Sequence, residues 1–507
     1  MLKLLRKTPF LWLGLFLLEC PEPGYCVLET ENFVFSMSGY VRSDVVSFKN
    51  VVDLDSGNSD DTGTYLGIDY SLAFKSESKK GGSGFYLRLE RNGPFDYNVP
   101  LFIHNTLMNS GGVIERYRQE ELLPQVEEFW VEVPILNGFR FQSGLYSYEV
   151  GNGFSLNGGY ENYGFTLYRK SGNLTWRFYY CRPDAVYKNH LGPYIRQEEE
   201  QGIKYEHGSS NFFAMDTKIE TNKFSFQPYV GVLSDYTSEG KRDNVFTAPI
   251  KKDLLGTLGV AWGLKQDKLS FKAEIAHNFG KAESVDAAYK DVYHTGYLAY
   301  SEINYCLGKF TPSLQFLLCS GNKASLEAAA NADETFTSSK NRAFSYYSPL
   351  NRNLGDSISS SNSDMRPIVA TGAGWGLQYG IPRPGTLFSS DFDNLIMPSL
   401  GLSIDITEKL NLGLYGYYLR AFTRGVGTWN TEAKYLSQDL GYELDMFVDY
   451  NLNKNTTFSF AGGYFFPGQY YKEERDDVDG SLFSPFVRGD GKADHAYQVE
   501  LSLEVSF

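Results

Sequence analysis

Tyr497-Gln498-Val499-Glu500-Leu501-Ser502-Leu503-Glu504-Val505-Ser506-Phe507 alternates without a fault. Tyr497, Val499, Leu501, Leu503, Val505 and Phe507 form one row, and Gln498, Glu500, Ser502, Glu504 and Ser506 the other. A period of two places the rows on opposite faces of a strand. The pattern recurs along the chain. Leu440, Tyr442, Leu444, Met446, Val448 and Tyr450 alternate with Gly441, Glu443, Asp445, Phe447 and Asp449. Leu269, Phe271, Ala273 and Ile275 alternate with Ser270, Lys272, Glu274 and Ala276. Leu400, Leu402, Ile404 and Ile406 flank Ser403 and Asp405, and Leu66 to Phe74 repeat the scheme.

Composition narrows the setting. The chain has 507 residues, of which 16% are aromatic (37 Tyr, 37 Phe and 6 Trp), with 50 Gly. An aromatic excess of this kind is what two interfacial girdles of a membrane barrel demand. The net charge of −14 argues against nucleic acid, whose binders carry basic patches. Five Cys are too few for a disulfide scaffold. After the N-terminus no stretch holds 18 consecutive apolar residues, so no spanning helix is expected. Residues 1–26 read as a cleaved signal peptide: Lys3, Arg6 and Lys7 precede the short apolar run Phe10–Leu18, with Gly24 and Cys26 at the cleavage positions. Residues 27–507 then read as one domain.

In hydrocarbon every backbone polar group must be paired, so strands span only as a closed barrel. The expected fold is therefore all-β: a transmembrane, antiparallel, up-and-down barrel of about 18 strands. Strands are predicted at 33–48, 64–75, 84–91, 126–135, 138–148, 160–170, 173–182, 211–220, 222–234, 254–265, 268–279, 295–306, 310–320, 396–406, 409–420, 439–450, 455–466 and 496–507. Short links alternate with long ones, as periplasmic turns alternate with extracellular loops. The long links are 49–63, 92–125, 149–159, 183–210, 235–253, 280–294, 321–395, 421–438 and 467–495. Both termini then fall on the short-turn side.

The 497–507 strand, ending in Phe507, resembles the terminal strand of bacterial outer-membrane barrels. That resemblance implies an assembly signal made of Tyr497, Leu501, Leu503, Val505 and Phe507, read by the barrel-assembly machinery, with outer-membrane lipid around the barrel. A second resemblance rests on internal motifs. Glu128-Phe129-Trp130-Val131-Glu132, then Gly144, Tyr146 and Gly151-Asn152-Gly153-Phe154-Ser155-Leu156, resemble the alginate-export family. So do Pro312-Ser313-Leu314, Ser320-Gly321-Asn322, Leu440-Gly441-Tyr442-Glu443-Leu444-Asp445 and Gly463-Tyr464-Phe465-Phe466-Pro467-Gly468, in the same order. The family implies an eighteen-stranded barrel that passes an anionic uronate polymer outwards. Gln142-Ser143-Gly144 stands where the family carries Gly-Arg-Gln, with Arg140 nearby, and Asn322 replaces an aspartate.

The polar rows would line the lumen. Candidate pore-lining residues are Arg42, Arg88, Glu128, Glu132, Arg140, Arg177, Lys272, Glu274, Glu302, Asp405, Glu443, Asp445, Asp449 and Glu500, with Lys75, Lys218, Asp44, Asp69, Glu90, Asp216 and Glu504 on the same rows. The cations come from the first eleven strands, so one wall is mixed and the other acidic. Unlike charges across a narrow lumen make a transverse field that passes small polar solutes and penalises apolar ones. An acidic excess suits polar or cationic solutes better than a polyanion. The long link 321–395 is a candidate inward constriction, with Arg342, Arg352, Arg366 and Arg383 as its positive side.

No catalytic constellation emerges. His104, His190, His207, His277, His294 and His495 show no catalytic spacing, and His277 falls on a lipid-facing row. Gly372–Gly376 precedes no βαβ unit. Asp476, Asp477 and Asp479 read as solvated loop charge, and Cys181, Cys306 and Cys319 as unbridged. The expected function is passive diffusion or export of a small hydrophilic solute or oligosaccharide, with no enzyme activity and no cofactor. The alternative is a surface scaffold or adhesin whose pore is blocked by 321–395.

Overall fold

The computed structural model describes residues 26–50, 54, 63–79, 82–91, 125–146, 148–157, 163–182, 211–235, 250–284, 291–321, 340–342, 394–429, 432–474 and 491–507. Within them, eighteen antiparallel strands close into a barrel. They are β1 (Phe33–Lys49), β2 (Gly63–Ser78), β3 (Gly84–Arg91), β4 (Gln125–Pro134), β5 (Phe139–Leu145), β6 (Tyr163–Ser171), β7 (Leu174–Arg182), β8 (Asn211–Glu220) and β9 (Phe224–Asp235). The second half holds β10 (Ile250–Gln266), β11 (Leu269–Ser284), β12 (Tyr297–Tyr305), β13 (Phe310–Cys319), β14 (Leu395–Asp405), β15 (Leu410–Ala421), β16 (Asp439–Asn453), β17 (Thr456–Pro467) and β18 (Ala496–Ser506). Each strand pairs with the next, and β18 returns to β1, with Lys49 opposite Tyr497 and Tyr40 opposite Ser506. Closure leaves no edge strand to expose unpaired backbone.

The strand rows divide as the alternation requires. Leu258, Ile275, Leu314, Leu400, Leu414 and Leu444 stand exposed on the outside, Leu400 at 67%. Tyr163, Tyr297, Tyr418, Tyr442 and Tyr464 band the long-loop rim, and Phe33, Phe224, Tyr305, Phe310, Tyr450 and Phe458 the short-turn rim. An apolar surface running right round the barrel matches hydrocarbon, not water. Among the described residues no helix is long and apolar enough to cross a membrane.

The strand ends explain two departures from the pattern. Leu440 belongs to the predicted outward row, yet it is fully buried. The β15–β16 pairing slips between Leu419 and Arg420, opposite Gly441 and Asp439. Gly441 takes φ +116°, and a Cβ there would collide with the Phe466 carbonyl. The bulge turns Leu440 inward. The second departure is the 421–438 link, which carries its own hairpin, Val426–Trp429 against Glu432–Tyr435.

The chain's last strand is tied at its end. Phe507 and Gly39 exchange two backbone hydrogen bonds of 2.9 Å. A Cβ on Gly39 would meet the Phe507 ring, so only glycine leaves room for that side chain. Tyr497, Leu501, Leu503 and Val505 all lie on β18, and the last three are exposed on the outer face. Residues Cys26–Glu29 pair with β1 beyond that point, Cys26 opposite Met37. The remainder of the predicted signal segment lies outside the described residues.

Candidate functional site: the lumen

The main surprise is the segment after β5. The sequence reading assigns 149–159 to an outer connector. Instead residues 145–157 turn into the barrel and pack against its inner wall. Gly144 starts the turn: its φ is +145°, and a Cβ would collide with the Phe129 carbonyl. From there Leu145, Tyr146, Tyr148, Val150, Phe154 and Leu156 are all buried, at 6% exposure or less. The pairs Glu149–Asn157 and Val150–Leu156 make a small antiparallel ladder inside the lumen.

Two carboxylates on the wall hold this segment. Asp216 on β8 accepts from the Tyr148 hydroxyl (2.9 Å), Arg177 Nε (2.9 Å) and Gln227 Nε2 (3.0 Å). Glu274 on β11 accepts from the Asn152 amide (2.7 Å), the Ser155 hydroxyl (2.6 Å) and the Tyr229 hydroxyl (2.7 Å). Ser155 and Tyr229 also bond to each other, and Gln227 Oε1 accepts from the Gly151 amide at 3.3 Å. Three donors on each buried carboxylate meet the hydrogen-bonding demand that burial creates. Burial, and next the Asp216 charge, hold the Tyr148 hydroxyl well above the ordinary tyrosine range, so it remains a donor.

Aromatic packing completes the latch. The Tyr148 ring stacks on Tyr179 at 4.0 Å between centroids, and the Arg177 guanidinium lies over the Tyr148 ring, 5.1 Å from its centroid. Phe154 reaches further, packing at 4.1 Å on Tyr300 of β12. The segment thus spans the inner wall from β7 to β12.

The predicted lining residues fall into three groups. On the early wall the cations have acidic partners. Arg88 pairs with Glu90, and Arg140 pairs with Glu132 while donating to the Gly82 carbonyl; Tyr168 also donates to Glu132. Arg177 pairs with Asp216. Glu128 stands opposite Arg88 across β3–β4. Arg42 is buried on β1, opposite Asp69 and Glu504. Lys75 and Lys218 sit near the short-turn rim, paired with Glu77 and Glu220.

The late wall is acidic. Glu443, Asp445 and Asp449, at 0%, 3% and 9% exposure, share the inner row of β16 with Phe447, and Glu500 on β18 is at 5%. Arg420 lies on the other row and donates to Gln438 at 3.3 Å. Asp405 is exposed at the short-turn end, accepting from Asn411 at 2.6 Å. Lys272 faces Glu302 across β11–β12. Glu302 accepts from Tyr300 and from Asn304.

The third group is the predicted constriction. Arg352, Arg366 and Arg383 lie outside the described residues. Arg342 is exposed beside Lys340–Asn341, which pair in parallel with Val292–His294, and its carbonyl accepts from Ser320 at 2.6 Å. His294, predicted in an outer loop, is buried and lies 2.8 Å from Asp253. His277 is exposed on the outer row. Among the described residues Cys181, Cys306 and Cys319 form no disulfide, and no cluster of His, Cys, Asp and Glu could hold a metal.

Residues that the sequence reading left out are Tyr148, Gln227, Tyr229, Gln315, Ser399 and Tyr417. Each belongs to an inner row or to the inward segment. Parity alone would have placed the strand residues in the lumen; nothing but the Gly151-Asn152-Gly153 turn marked the segment.

No protein-family model matches the sequence, and no curated protein matches it. Among solved structures the chain is similar to Pseudomonas aeruginosa OccK9 (OpdG), at 10% identity and TM-score 0.48, covering 93% of this chain and 98% of that one. It is likewise similar to the outer membrane protein OprD from Pseudomonas aeruginosa, at 12% identity and TM-score 0.47, covering 93% of each chain. Pseudomonas aeruginosa OccK11 (OpdR) gives 9% identity and TM-score 0.47, with 93% and 96% covered.

Proposed function

We propose that the chain is an outer-membrane channel through which small hydrophilic solutes, up to oligosaccharides, diffuse passively. The observation that carries this reading is a closed barrel with an apolar outside and a charged inside, narrowed by one segment held on two buried carboxylates. The constriction is assigned to 145–157, a role the sequence reading gave to 321–395. Export would use residues 1–26, and insertion would use the β18 row ending in Phe507. The candidate lining residues act as a field: paired charges on the early wall, net negative charge on the late wall. That field favours neutral polar and cationic solutes.

The alginate-export relation is the finer reading, and the lining speaks against its substrate. A polyanion needs unpaired cations along its path, whereas Arg88, Arg140 and Arg177 each sit on a carboxylate. Single-channel conductance in a planar bilayer, with reversal potential under a salt gradient, tests the proposal. A cation-selective current supports it. Anion selectivity returns the polyanion exporter and makes the arginines of 321–395 the lining.

A second reading has its own support. Inner residues at mid-barrel are almost entirely buried, including Glu302, Gln315, Ser399 and Glu443 at 2% exposure or less. A barrel closed in this way suits a surface scaffold or adhesin. Absence of any current, with the barrel folded, favours that reading.

A further inference from the structure

Four of the short turns end alike. Lys223 closes 221–223, Lys268 closes 267–268, Lys309 closes 306–309 and Lys409 closes 406–409. Each stands directly before the first residue of a strand: Phe224, Leu269, Phe310 or Leu410. Each also takes the same place in the ladder. The four lysine carbonyls accept from the amides of Lys265, Cys306, Asp405 and Asn451, at 2.7, 2.7, 2.8 and 2.8 Å. The backbone therefore holds four lysines at one level of the rim, along the arc from β9 to β15. Successive lysines are two strands apart, which is about 10 Å.

All four are exposed. Lys309 Nζ donates to the Ile406 carbonyl at 3.1 Å, and Lys409 Nζ to the Leu452 carbonyl at 3.2 Å, so each ammonium reaches along the rim to the next turn. A carbonyl takes one of the three N–H groups an ammonium offers. The surroundings are apolar. Leu307 and Ile406 in these turns, and Leu452 beside them, are 50%, 43% and 46% exposed. Leu307 pairs with Phe310, itself 50% exposed on the outer face. The apolar band of the outer wall thus runs past its aromatic rim into the turns. Lysine stems along such a surface, with the ammonium at its edge, match the headgroup layer of a bilayer. The four turns carry four lysines against two acids, Asp267 and Glu408, in a chain whose net charge is −14.

We propose that this arc, Lys223–Lys268–Lys309–Lys409, is a binding site for the phosphate of anionic phospholipid headgroups in the leaflet on the short-turn side. The site needs only a barrel that spans a bilayer, and it holds whether or not the lumen conducts. Each lysine meets a phosphate as a point charge. The acyl chains of that lipid lie against Phe224, Phe310 and the outer rows beyond them. A zwitterionic headgroup brings its own cation and gains less from the same lysine.

The purified full chain in detergent is titrated with phosphatidylglycerol and with phosphatidylcholine, and bound lipid is counted by native mass spectrometry. Phosphatidylglycerol should bind at least about fivefold tighter, the effect of one lysine at an anionic headgroup layer. Lys309→Gln made with Lys409→Gln should cut that preference by about fivefold or more, and Lys309→Arg with Lys409→Arg should keep it. Lys170 and Lys265 are exposed at the same rim but on the inner row, opposite Thr175 and Ser270. Changing both of these to Gln removes the same charge and should leave the preference as it was. Where the paired glutamine variant fails to fold, Lys223→Gln alone carries the measurement, again with weaker binding expected. Equal binding of the two lipids, an equal loss in the inner-row pair, or an unchanged preference in the folded rim variants each overturns the site. Inorganic phosphate bound as tightly as the lipid overturns the lipid as occupant, and so does tighter binding of a soluble anionic cell-wall fragment.

Discussion

The two sides of the lumen bury carboxylates equally and use them differently. Asp216 and Glu274 are at 2% and 0% exposure, Glu302 and Glu443 at 1% and 0%. On the early wall the buried acids gather donors from a segment that has left the strand order to meet them: Tyr148, Asn152 and Ser155. Their charge is spent on holding backbone in place. On the late wall Glu302 takes its donors from its own strand, Tyr300 and Asn304, and among the described residues Gln315 Oε1 and Ser399 Oγ have no hydrogen-bond partner. Burial alone therefore says little about the role of a lumenal acid. What separates the two walls is whether the donors come from the strand itself or from the inward segment.

The strongest way to break this contrast is to remove the acceptor that the early wall depends on. Glu274→Ala leaves the Asn152 amide and the Ser155 and Tyr229 hydroxyls without their acceptor. Losing the acceptor of a buried set costs about 3 kcal/mol or more. The barrel should survive, since its strand ladder is untouched, but 145–157 should detach. Urea titration in detergent measures the first effect, and a larger single-channel conductance the second. Deleting 149–157 outright should raise conductance at least as far. If neither change alters the current, the segment is no constriction and the contrast between the walls loses its functional meaning.

Smaller changes sharpen the same point. Gly144→Ala forces a residue with a Cβ to hold φ +145° against the Phe129 carbonyl. Strain of this kind costs about 2 kcal/mol. It acts on the turn that admits the segment, so protease protection of 145–157 should fall before that of the strands. Tyr229→Phe removes one donor to Glu274 and leaves two. A loss near 1 kcal/mol is expected. The same change made in the Glu274→Ala background should cost much less, since the acceptor is already gone. A full second penalty would mean Tyr229 stabilises the wall by packing rather than through Glu274.

How far the sequence could lead follows from which interactions have a period. All eighteen strands lie where alternation puts them, and β3 and β8 keep the predicted bounds, 84–91 and 211–220. β11 runs on to Ser284, past the predicted 279, because Val292–His294 supplies a further partner for it. The inward segment has no period: Tyr146 to Leu156 mixes aromatic, glycine and polar residues, as an outer loop would. Its destination is set by Glu274, more than a hundred residues away in sequence. The level shared by Glu302, Gln315, Ser399, Tyr417 and Glu443 was hidden for another reason. Parity tells which face a residue takes, but not which residues share a level. Level depends on strand register, and between β13 and β14 the long link 321–395 leaves register to the pairing itself. The run of pairs from Phe310–Ile404 to Cys319–Leu395, Gln315–Ser399 among them, sets it.

An exposed carboxylate supplies the control for the buried ones. Glu29 lies at the short-turn rim, where its Oε2 accepts from Lys79 Nζ at 2.8 Å. The hydrogen bond, and then the charge, of Lys79 lower its pKa from the ordinary carboxylate range. A lowered folded-state pKa means the pair stabilises above the unfolded carboxylate range, and that contribution is lost as pH falls through the folded value. Because the group is bathed in water, the effect is the smallest of those proposed, and salt screens it. Glu29→Gln should leave unfolding of the barrel unchanged. Amide exchange in Val27–Glu29, which pair with Val34, Phe35 and Ser36, should quicken slightly, and 1 M salt should abolish even that difference. The same isosteric change at Glu274 cannot be screened away, because no ion reaches a buried acceptor. If salt erases the cost of both substitutions alike, Glu274 is solvent-accessible and the latch on the early wall is not the anchor its geometry describes.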